Sequence, residues 1–311
     1  MATERYIPAV KDFDDLIDLA KSRTDGAPRA VMVVPSAVEW LKAAQLAIDS
    51  NLIQLEILGD EEVFKRKRDE AGVELDVPVV DINQPEQAII TACQMAARRE
   101  ADMIIKGRGD SIEFFKTILR KESEFRQKGR LVSHITVMKP EAYPKLLAIT
   151  DSGMVPEPDL KDKLSITQNL IGFLKAIGID EPRIAAICAV EAIYPQMKST
   201  TDGAVLAKMS DRGQIKGAYV DGPLSFDCAM DPEAAEAKGI TDSKVAGQAD
   251  GMLASSIETA NGVYKVMALY GNAQTAGLLV GGRVPVALGH KWDDVDSRFR
   301  SILLASLAAQ D

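Results

Sequence analysis

The sequence has few of the residues on which metal sites and disulfide frameworks depend. It contains two histidines, His134 and His290, and three cysteines, Cys93, Cys188 and Cys228. Two histidines exclude a histidine-rich metal site, and cysteines without a Cys-x-x-Cys pair predict neither a zinc site nor a disulfide framework. This cysteine usage is typical of a reducing compartment, so we expect a cytoplasmic location.

Long apolar runs and excess basic charge are also missing. No run approaches the roughly 18 apolar residues of a membrane span. Residues 1–5 begin no signal-peptide pattern, so none is expected. Lys and Arg number 37 against 46 Asp and Glu, a net charge of −9. This balance disfavours nucleic acid and anionic membranes as partners. A small anion remains compatible with the sequence, because a few converging cations can hold phosphate inside an acidic protein.

Several common catalytic signatures do not occur in the chain. We find no Gly-x-x-x-x-Gly-Lys loop, no Gly-x-Gly-x-x-Gly fingerprint, no His-Glu-x-x-His and no Gly-x-Ser-x-Gly elbow. These motifs would indicate nucleotide phosphate binding, dinucleotide binding, zinc hydrolysis and serine hydrolysis respectively. Composition and motif search by themselves therefore predict a fold class and no specific reaction.

The residues that are present predict a folded α/β protein of two lobes. Hydrophobic residues make up 46% and charged residues 27% of 311 residues, the balance of a globular chain. Single cores stop growing near roughly 250 to 300 residues, which favours two lobes. Short β-branched runs alternate with segments of helical period, the pattern of a mostly parallel sheet covered by helices.

The predicted elements follow that alternation. Strands are expected at 30–34, 52–58, 77–80, 103–106, 132–138, 146–150, 184–190, 217–220, 251–254, 278–280 and 284–288. Helices are expected at 37–50, 61–71, 84–99, 112–121 and 295–309, with a long one ending near Gly178. The prolines of residues 151–158 bar a continuous helix or central strand, so we interpret this stretch as a crossing between lobes.

Two strand-proximal segments are candidates for ligand contact. Lys106–Ser111 joins a strand to a helix, where free backbone N–H groups favour an anion. A flexible turn with Ser111 as helix N-cap explains the same pattern, and both interpretations stay open. At the entry to the next strand, Arg130 or Ser133 is interpreted as a ligand contact and His134 as a structural histidine.

Longer motifs in the second half resemble a known family. They are residues 202–217, residues 220–227, Val245-Ala246-Gly247-Gln248-Ala249-Asp250 and Gly277-Leu278-Leu279-Val280-Gly281-Gly282. Together with Lys106-Gly107, Ser133-His134, Thr150-Asp151 and Gln168-Asn169, they resemble phosphate acetyl/butyryltransferases, and phosphate butyryltransferases most closely. The resemblance runs from about residue 101 to residue 307.

The resemblance implies a fold, a reaction and an assembly. It implies the isocitrate/isopropylmalate dehydrogenase-like fold, with residues 1–143 and 287–311 in a first lobe and 144–286 in a second, dimerising lobe. The implied reaction moves a short acyl group between coenzyme A and inorganic phosphate, with no cofactor, metal or nicotinamide. The implied partners are acyl-CoA or CoA, phosphate or acyl phosphate, and a second copy in a homodimer.

The chain departs from the family pattern where the chemistry is expected. The family reads Pro-Asp-x-x-x-Gly-Asn where residues 255–261 keep only Asn261, and Leu-Thr-Ser-Arg-x-Asp-Ser where this chain has residues 288–294. His290 therefore replaces a serine and Lys291 an arginine. Lys291 keeps the charge but loses the planar fork of a guanidinium.

The resemblance carries over a set of candidate site residues. His290, Asp293 and Asp296 are candidate catalytic groups, although Asp293 also suits the N-cap of the last helix. The candidate substrate-binding residues are Ser111, Lys116, Arg130, Ser133, Asn261 and Lys291. A family member that binds an acyl-CoA or a phosphorylated ligand without turnover is the alternative. A metal- and nicotinamide-dependent dehydrogenase is a further alternative.

Overall fold

The computed structural model describes residues 8–309. In chain order the helices are α1 (Phe13–Ser22), α2 (Val38–Asp49), α3 (Glu61–Ala71), α4 (Pro85–Ala97), α5 (Ser111–Ile118), α6 (Leu160–Ala176), α7 (Lys198–Asp211), α8 (Phe226–Met230), α9 (Pro232–Ala237), α10 (Ile257–Leu269) and α11 (Val295–Ala308). A short 3-10 helix covers Lys121–Ser123.

The strands alternate with these helices over most of the chain, which confirms the α/β class. They are β1 (Arg29–Val33), β2 (Gln54–Gly59), β3 (Val79–Asp81), β4 (Met103–Lys106), β5 (Ser133–Lys139), β6 (Leu147–Thr150), β7 (Arg183–Ile187), β8 (Tyr219–Leu224), β9 (Gly251–Leu253), β10 (Gln274–Val280) and β11 (Val286–Leu288).

The chain divides into two compact units. Leu16–Val132 together with 276–309 forms what we term the terminal unit, and Ser133–Thr275 together with 8–15 forms the central unit. The predicted lobe boundaries were 143/144 and 286/287. The division in the structure lies earlier in both places, because β5 pairs with β6 of the central unit and β11 pairs with β4 of the terminal unit.

The terminal unit has the strand order β3-β2-β1-β4-β11-β10. All neighbouring pairs are parallel except β10 and β11, which form an antiparallel pair through Gly277–Leu288 and Leu279–Val286. The four residues Ala30 to Val33 of β1 are all buried, as expected of a strand covered on both faces. Helix α11 packs on α2 and beside β11 and β4, so the closing helix belongs to this unit.

The central unit has the strand order β5-β6-β9-β7-β8. Strands β6, β9, β7 and β8 are mutually parallel, and β5 is antiparallel to β6. Helix α7 packs closely on β8, and Gly203 explains how. A Cβ at Gly203 would lie 3.3 Å from the backbone of Pro223, so a larger residue would require α7 and β8 to move slightly apart.

Candidate functional site

A cavity of about 500 Å³ opens in the terminal unit, near the ends of β4 and β11. Ligands of parallel α/β sheets commonly bind at the carboxyl ends of the strands, and β4 reaches the cavity with its last residue, Lys106. The lining residues come from the start of α2, the turn after β4, the loop after β11 and α11. They are Ala37, Glu39, Trp40, Lys106, Gly107, Arg108, Gly109, Asp110, Ser111, Gly289, His290, Lys291 and Arg298.

The turn after β4 lies tightly against the end of β1. The N–H of Gly107 donates to the carbonyl of Val33 at 3.0 Å, and that of Arg108 donates to Val34 at 3.1 Å. A Cβ on Gly107 would collide with the carbonyl oxygens of Val33 and Val34. Glycine is therefore required here, because it alone lets the turn approach the neighbouring strand this closely.

Asp110, not Ser111, is the N-cap of α5. Its carboxylate accepts hydrogen bonds from the N–H groups of Ile112 at 2.8 Å and Glu113 at 3.2 Å. The hydrogen bonds from Glu113 and Ile112 lower the pKa of Asp110. The free N–H groups expected at this helix start are thus already engaged by a carboxylate. Ser111 is half-buried and lines the cavity.

Lys106 is a buried lysine on the wall of the cavity. Its ammonium donates to the carbonyl of Gly109 at 3.0 Å and lies 5.8 Å from the centre of the Phe114 ring. Burial lowers the pKa of Lys106 to about 8, and the charges of Arg298 and Lys291 act in the same direction, whereas Asp110 opposes them. The sequence analysis placed Lys106 in the candidate anion segment Lys106–Ser111 but gave its side chain no role of its own.

Arg298 holds the loop that precedes its own helix. Its Nε donates to the carbonyl of Asp293 at 3.2 Å and its Nη2 to the carbonyl of His290 at 3.3 Å. The guanidinium carbon lies 5.0 Å from the centre of the Trp40 ring, within the range of a cation–π contact. Arg298 is 6% exposed, and burial lowers its pKa. This network fixes the loop that carries Lys291.

His290 and Lys291 both line the cavity, as the predicted site requires. The His290 ring stacks on Trp292, with ring centres 6.0 Å apart and planes inclined by 22°. His290 is half-buried, whereas Lys291 and Trp292 are exposed. A partly exposed imidazole beside cations is chemically suited to exchange a proton with a bound ligand.

The three acidic residues at the start of α11 have different surroundings. Asp294 is the N-cap and accepts from the N–H of Ser297 at 2.8 Å, so the N-cap interpretation of Asp293 is wrong by one residue. Asp293 is buried, which raises its pKa to about 6, and its Oδ1 has no hydrogen-bond partner among residues 8–309. Asp296 is exposed, and neither Asp293 nor Asp296 lines the cavity.

Two of the candidate substrate-binding residues lie in the terminal unit but outside the cavity lining. Lys116 is exposed on α5, with its ammonium 2.9 Å from the carboxylate of Glu113. Arg130 is exposed in the segment before β5. Neither residue is among those that line the cavity.

The remaining candidates, Ser133 and Asn261, lie in the central unit. The Oγ of Ser133 accepts from Asn169 at 2.9 Å, and the amide of Asn261 donates to the carbonyl of Ser152 at 3.3 Å. His134 is buried with its Nδ1 3.1 Å from the Oγ of Ser152, in agreement with a structural role.

Asp151 organises the turn after β6 beside these residues. Its carboxylate accepts from the N–H groups of Gly153 and Met154, each at 2.7 Å, and from that of His134 at 3.2 Å. Burial raises the pKa of Asp151 to about 6, although the hydrogen bonds oppose the rise. The side chain therefore stabilises the turn rather than facing a ligand.

One group in the central unit brings together atoms that metals bind. Ligand atoms of Glu191, Asp227 and Cys228 lie within 4.8 Å of one another. The ammonium of Lys238 lies 2.9 Å from Glu191 and 3.0 Å from Asp227, so a cation of the protein already pairs with both carboxylates and offsets one of their two negative charges. Hydrogen bonds from Ser225 and Lys238 lower the pKa of Glu191 and of Asp227 to about 2.

No helix in the described part of the chain combines the length and apolar character needed to span a membrane.

Comparison with protein families gives one match over most of the chain. The sequence model of the family described as "Phosphate acetyl/butaryl transferase" matches residues 83–305. The phosphate butyryltransferase of Clostridium beijerinckii is 38% identical over 96% of this chain and 98% of its own length. The phosphate acetyltransferase of Rickettsia felis is 36% identical over 96% of this chain and 85% of its own length.

Solved structures with the same fold include two transacylases. A branched-chain phosphotransacylase from Enterococcus faecalis has a TM-score of 0.77 and 24% identity, covering 91% of this chain and 99% of that protein. A phosphotransacetylase from Streptococcus pyogenes has a TM-score of 0.79 and 17% identity, covering 96% of this chain and 99% of that protein. At these identities the similarity concerns the fold.

Proposed function

This chain belongs to the phosphate acetyl/butyryl transferase family, and we propose that it is a phosphate acyltransferase that moves a short acyl group between coenzyme A and inorganic phosphate. Acyl-CoA and phosphate give acyl phosphate and free CoA, and the reverse reaction restores the thioester. The observation that carries the proposal is the family match over residues 83–305 together with the cationic cavity near the end of β4.

The proposed roles follow the chemistry of that transfer. In the direction of thioester synthesis, the CoA thiol loses its proton, its sulfur attacks the acyl carbonyl and phosphate leaves. His290 is proposed as the group that takes the thiol proton, since it lines the cavity with its ring partly exposed. Lys291 and Ser111, which share that cavity, are proposed contacts of the phosphate group. Positive charge near this group stabilises the leaving anion.

The other residue roles that the family resemblance implies are also proposed. Asp293 and Asp296 are alternatives to His290 as base, and Lys116, Arg130, Ser133 and Asn261 are further candidate substrate contacts. The isocitrate/isopropylmalate dehydrogenase-like arrangement, the homodimer, the cytoplasmic location and the absence of a cofactor are proposed on the resemblance. A crystal structure with bound CoA, and light scattering on the purified protein, test the arrangement and the homodimer.

A thiol-release assay tests the proposed reaction directly. Purified protein is incubated with acetyl-, propionyl- or butyryl-CoA, with and without inorganic phosphate, and free CoA is measured with a thiol reagent. We expect phosphate-dependent release with at least one of the three substrates. Absence of phosphate-dependent release with all three would favour the alternative of a family member that binds an acyl-CoA or phosphorylated ligand without turnover.

A further inference from the structure

We infer that Lys106 and Arg298 form the anion-binding pair of this cavity, and that they hold the phosphate group of the substrate. The inference rests on the proposed function and deepens it by naming two residues outside the candidate set carried over from the family. It also replaces the backbone N–H groups at the start of α5 as the main phosphate donors, while the side chain of Ser111 stays a proposed contact.

The backbone N–H groups at the start of α5 are poorly placed to bind an anion in this chain. The carboxylate of Asp110 already accepts from Ile112 and Glu113, so two of the first N–H groups of the helix are satisfied. Lys116, one turn further, is exposed and pairs with Glu113 instead of facing the cavity.

The cavity itself is positively charged although the chain is acidic overall. Its lining contains the basic residues Lys106, Arg108, Lys291 and Arg298 against the acidic residues Glu39 and Asp110. The whole chain carries a formal charge of −9. A local excess of cations in a concave, partly desolvated site concentrates anions from solution.

Lys106 is a buried cation with unused donor capacity. It is 6% exposed, and among residues 8–309 its ammonium donates one hydrogen bond, to Gly109. An ammonium group carries three donors, and burying it without an anionic partner is costly. A phosphate oxygen in the cavity would supply the missing acceptor and the compensating charge.

Arg298 is the second residue of the anion-binding pair. Its Nε and Nη2 are held by the loop carbonyls, and in the described chain its Nη1 donates to no protein acceptor. The Trp40 ring and the two carbonyls hold the guanidinium in place before any ligand arrives. A fixed guanidinium is the group that Lys291 cannot supply, since a lysine lacks the planar fork.

The pair predicts that phosphate binding is linked to proton uptake. Burial lowers the pKa of Lys106 to about 8. A bound anion favours the ammonium form and raises this pKa, so binding takes up a proton above about pH 8 and weakens as pH rises further. The other charged or titratable groups around the cavity are Glu39 from α2, Arg108 and Asp110 from the turn before α5, His290 and Lys291 from the loop, and Arg298 from α11.

Calorimetric titration with inorganic phosphate tests the inference without any acyl donor. Wild type, Lys106→Met, Lys106→Arg and Arg298→Lys are compared near pH ~7 and pH ~9.5, with the exposed Lys121→Met as matched control. Sulfate, which does not titrate in this range, is the second probe. Circular dichroism and thermal melting establish that each variant is folded.

We expect Lys106→Met to weaken binding at the lower pH on the order of 10- to 100-fold, as for loss of a charged hydrogen bond, and Arg298→Lys roughly 10-fold. Wild type should bind roughly 30-fold more weakly at the higher pH, as a pKa of about 8 requires. Lys106→Arg should retain binding at both pH values, because arginine stays charged, and Lys121→Met should match wild type.

The inference would be overturned if folded Lys106→Met bound phosphate with unchanged affinity. It would also be overturned if Lys106→Arg lost phosphate affinity at high pH as fully as the wild-type protein. Absence of phosphate and sulfate binding by wild type would also overturn it. Should Lys106→Met not fold, the comparison of wild type with Lys106→Arg decides. The thiol-release assay on the wild-type protein is a separate test of the proposed function. If acyl transfer is absent but phosphate binds with the expected pattern, the proposed function is rejected and the assignment of Lys106 and Arg298 as the anion-binding pair is retained.

Discussion

The carboxylate of Asp293 accepts a hydrogen bond of 2.7 Å from the backbone N–H of His290. The bond closes the loop between β11 and α11 from inside, while Arg298 holds the carbonyls of the same two residues from the helix side. Asp293 therefore contacts the backbone of His290. Its position indicates that it orients the loop, whereas the imidazole of His290 lies on the cavity wall.

The burial of Asp293 predicts that Asp293→Asn stabilises the protein at neutral pH. The pKa of Asp293 rises from 3.8 to about 6 on folding, so the stability it contributes is present below about pH 4 and lost as pH rises through about 6. Asparagine keeps the acceptor for the N–H of His290 and carries no charge, so it removes the free-energy cost of burying an ionised carboxylate. That cost is on the order of 3 kcal/mol above about pH 6. Urea unfolding of both proteins between about pH 4 and about pH 8 measures this difference in the free energy of unfolding.

The neighbouring Asp294→Asn is the matched control for that experiment. The pKa of Asp294 is lowered despite partial burial, chiefly by the hydrogen bond from Ser297, so its stabilising contribution is lost as pH falls. The two variants should therefore show opposite pH trends relative to wild type. If Asp293→Asn is not stabilised but loses acyl transfer completely, Asp293 acts as the base and not as a support of the loop.

His290 is expected to matter for turnover more than for folding. General-base assistance is typically worth about 10² to 10⁴ in rate, so His290→Ala should lower the rate of thiol release by that order. His290→Ser should recover part of the loss, because it restores the hydroxyl of the family pattern. Unchanged rates in both variants would make His290 a bystander, with Asp296 or Asp293 as the next candidate.

Ser111 and Lys116 should differ in their effect on the KM for phosphate. Ser111 lines the cavity, whereas Lys116 is exposed and paired with Glu113. Ser111→Ala should raise KM roughly 2- to 10-fold, the range of one lost hydrogen bond, and Lys116→Ala should leave it near the wild-type value. A larger effect of Lys116→Ala would show that α5 reorients when substrate binds.

The buried pair Lys145–Asp250 should be the most sensitive ion pair of the central unit. Both side chains are 0% exposed, and Asp250 also accepts from the N–H of Arg183 at 2.7 Å, next to the starts of β7 and β9. Lys145→Met should destabilise by about 3 to 5 kcal/mol in urea unfolding, because it leaves a buried charge unpaired.

Two comparisons make that result interpretable. The exposed pair Lys208–Asp211 is the control, and Lys208→Met should cost about 0 to 1 kcal/mol. Adding Asp250→Asn to Lys145→Met should recover part of the loss, since it removes the orphaned charge. A Lys145→Met protein as stable as the Lys208→Met control would contradict the role of the pair.

The sequence patterns predicted the strands but did not predict every helix. Short apolar runs predicted β1, β4 and β9 within a residue or two of their observed bounds, because such runs have few alternatives once buried. Helices α7 and α10 were not predicted. Each contains an interior glycine, Gly203 and Gly262, which weakens the helical signal. At Gly203 the reason is packing against Pro223, a contact that no local pattern encodes.

The sequence predicted only part of the candidate site, because some of its contacts also depend on the tertiary fold. Ser111, His290 and Lys291 were selected from the family resemblance, and the structure brings all three to one cavity. Trp40 and Arg298 were not selected, since each lies in an amphipathic helix where a large side chain usually serves the core. Their contact joins α2 to α11 across most of the chain, so its existence depends on the tertiary fold.

The insertion of β11 beside β4 has a consequence for how the protein is made. Strand β4 pairs with β1 on one side and with β11 on the other, and Ile105 meets Ala287 only after roughly 180 further residues have been synthesised. At typical translation rates that interval lasts on the order of tens of seconds. Throughout it the nascent chain carries an open, apolar strand edge, the kind of surface that recruits other chains. We therefore expect the terminal unit to depend on ribosome-associated chaperones for longer than the central unit, whose strands emerge in a single uninterrupted stretch.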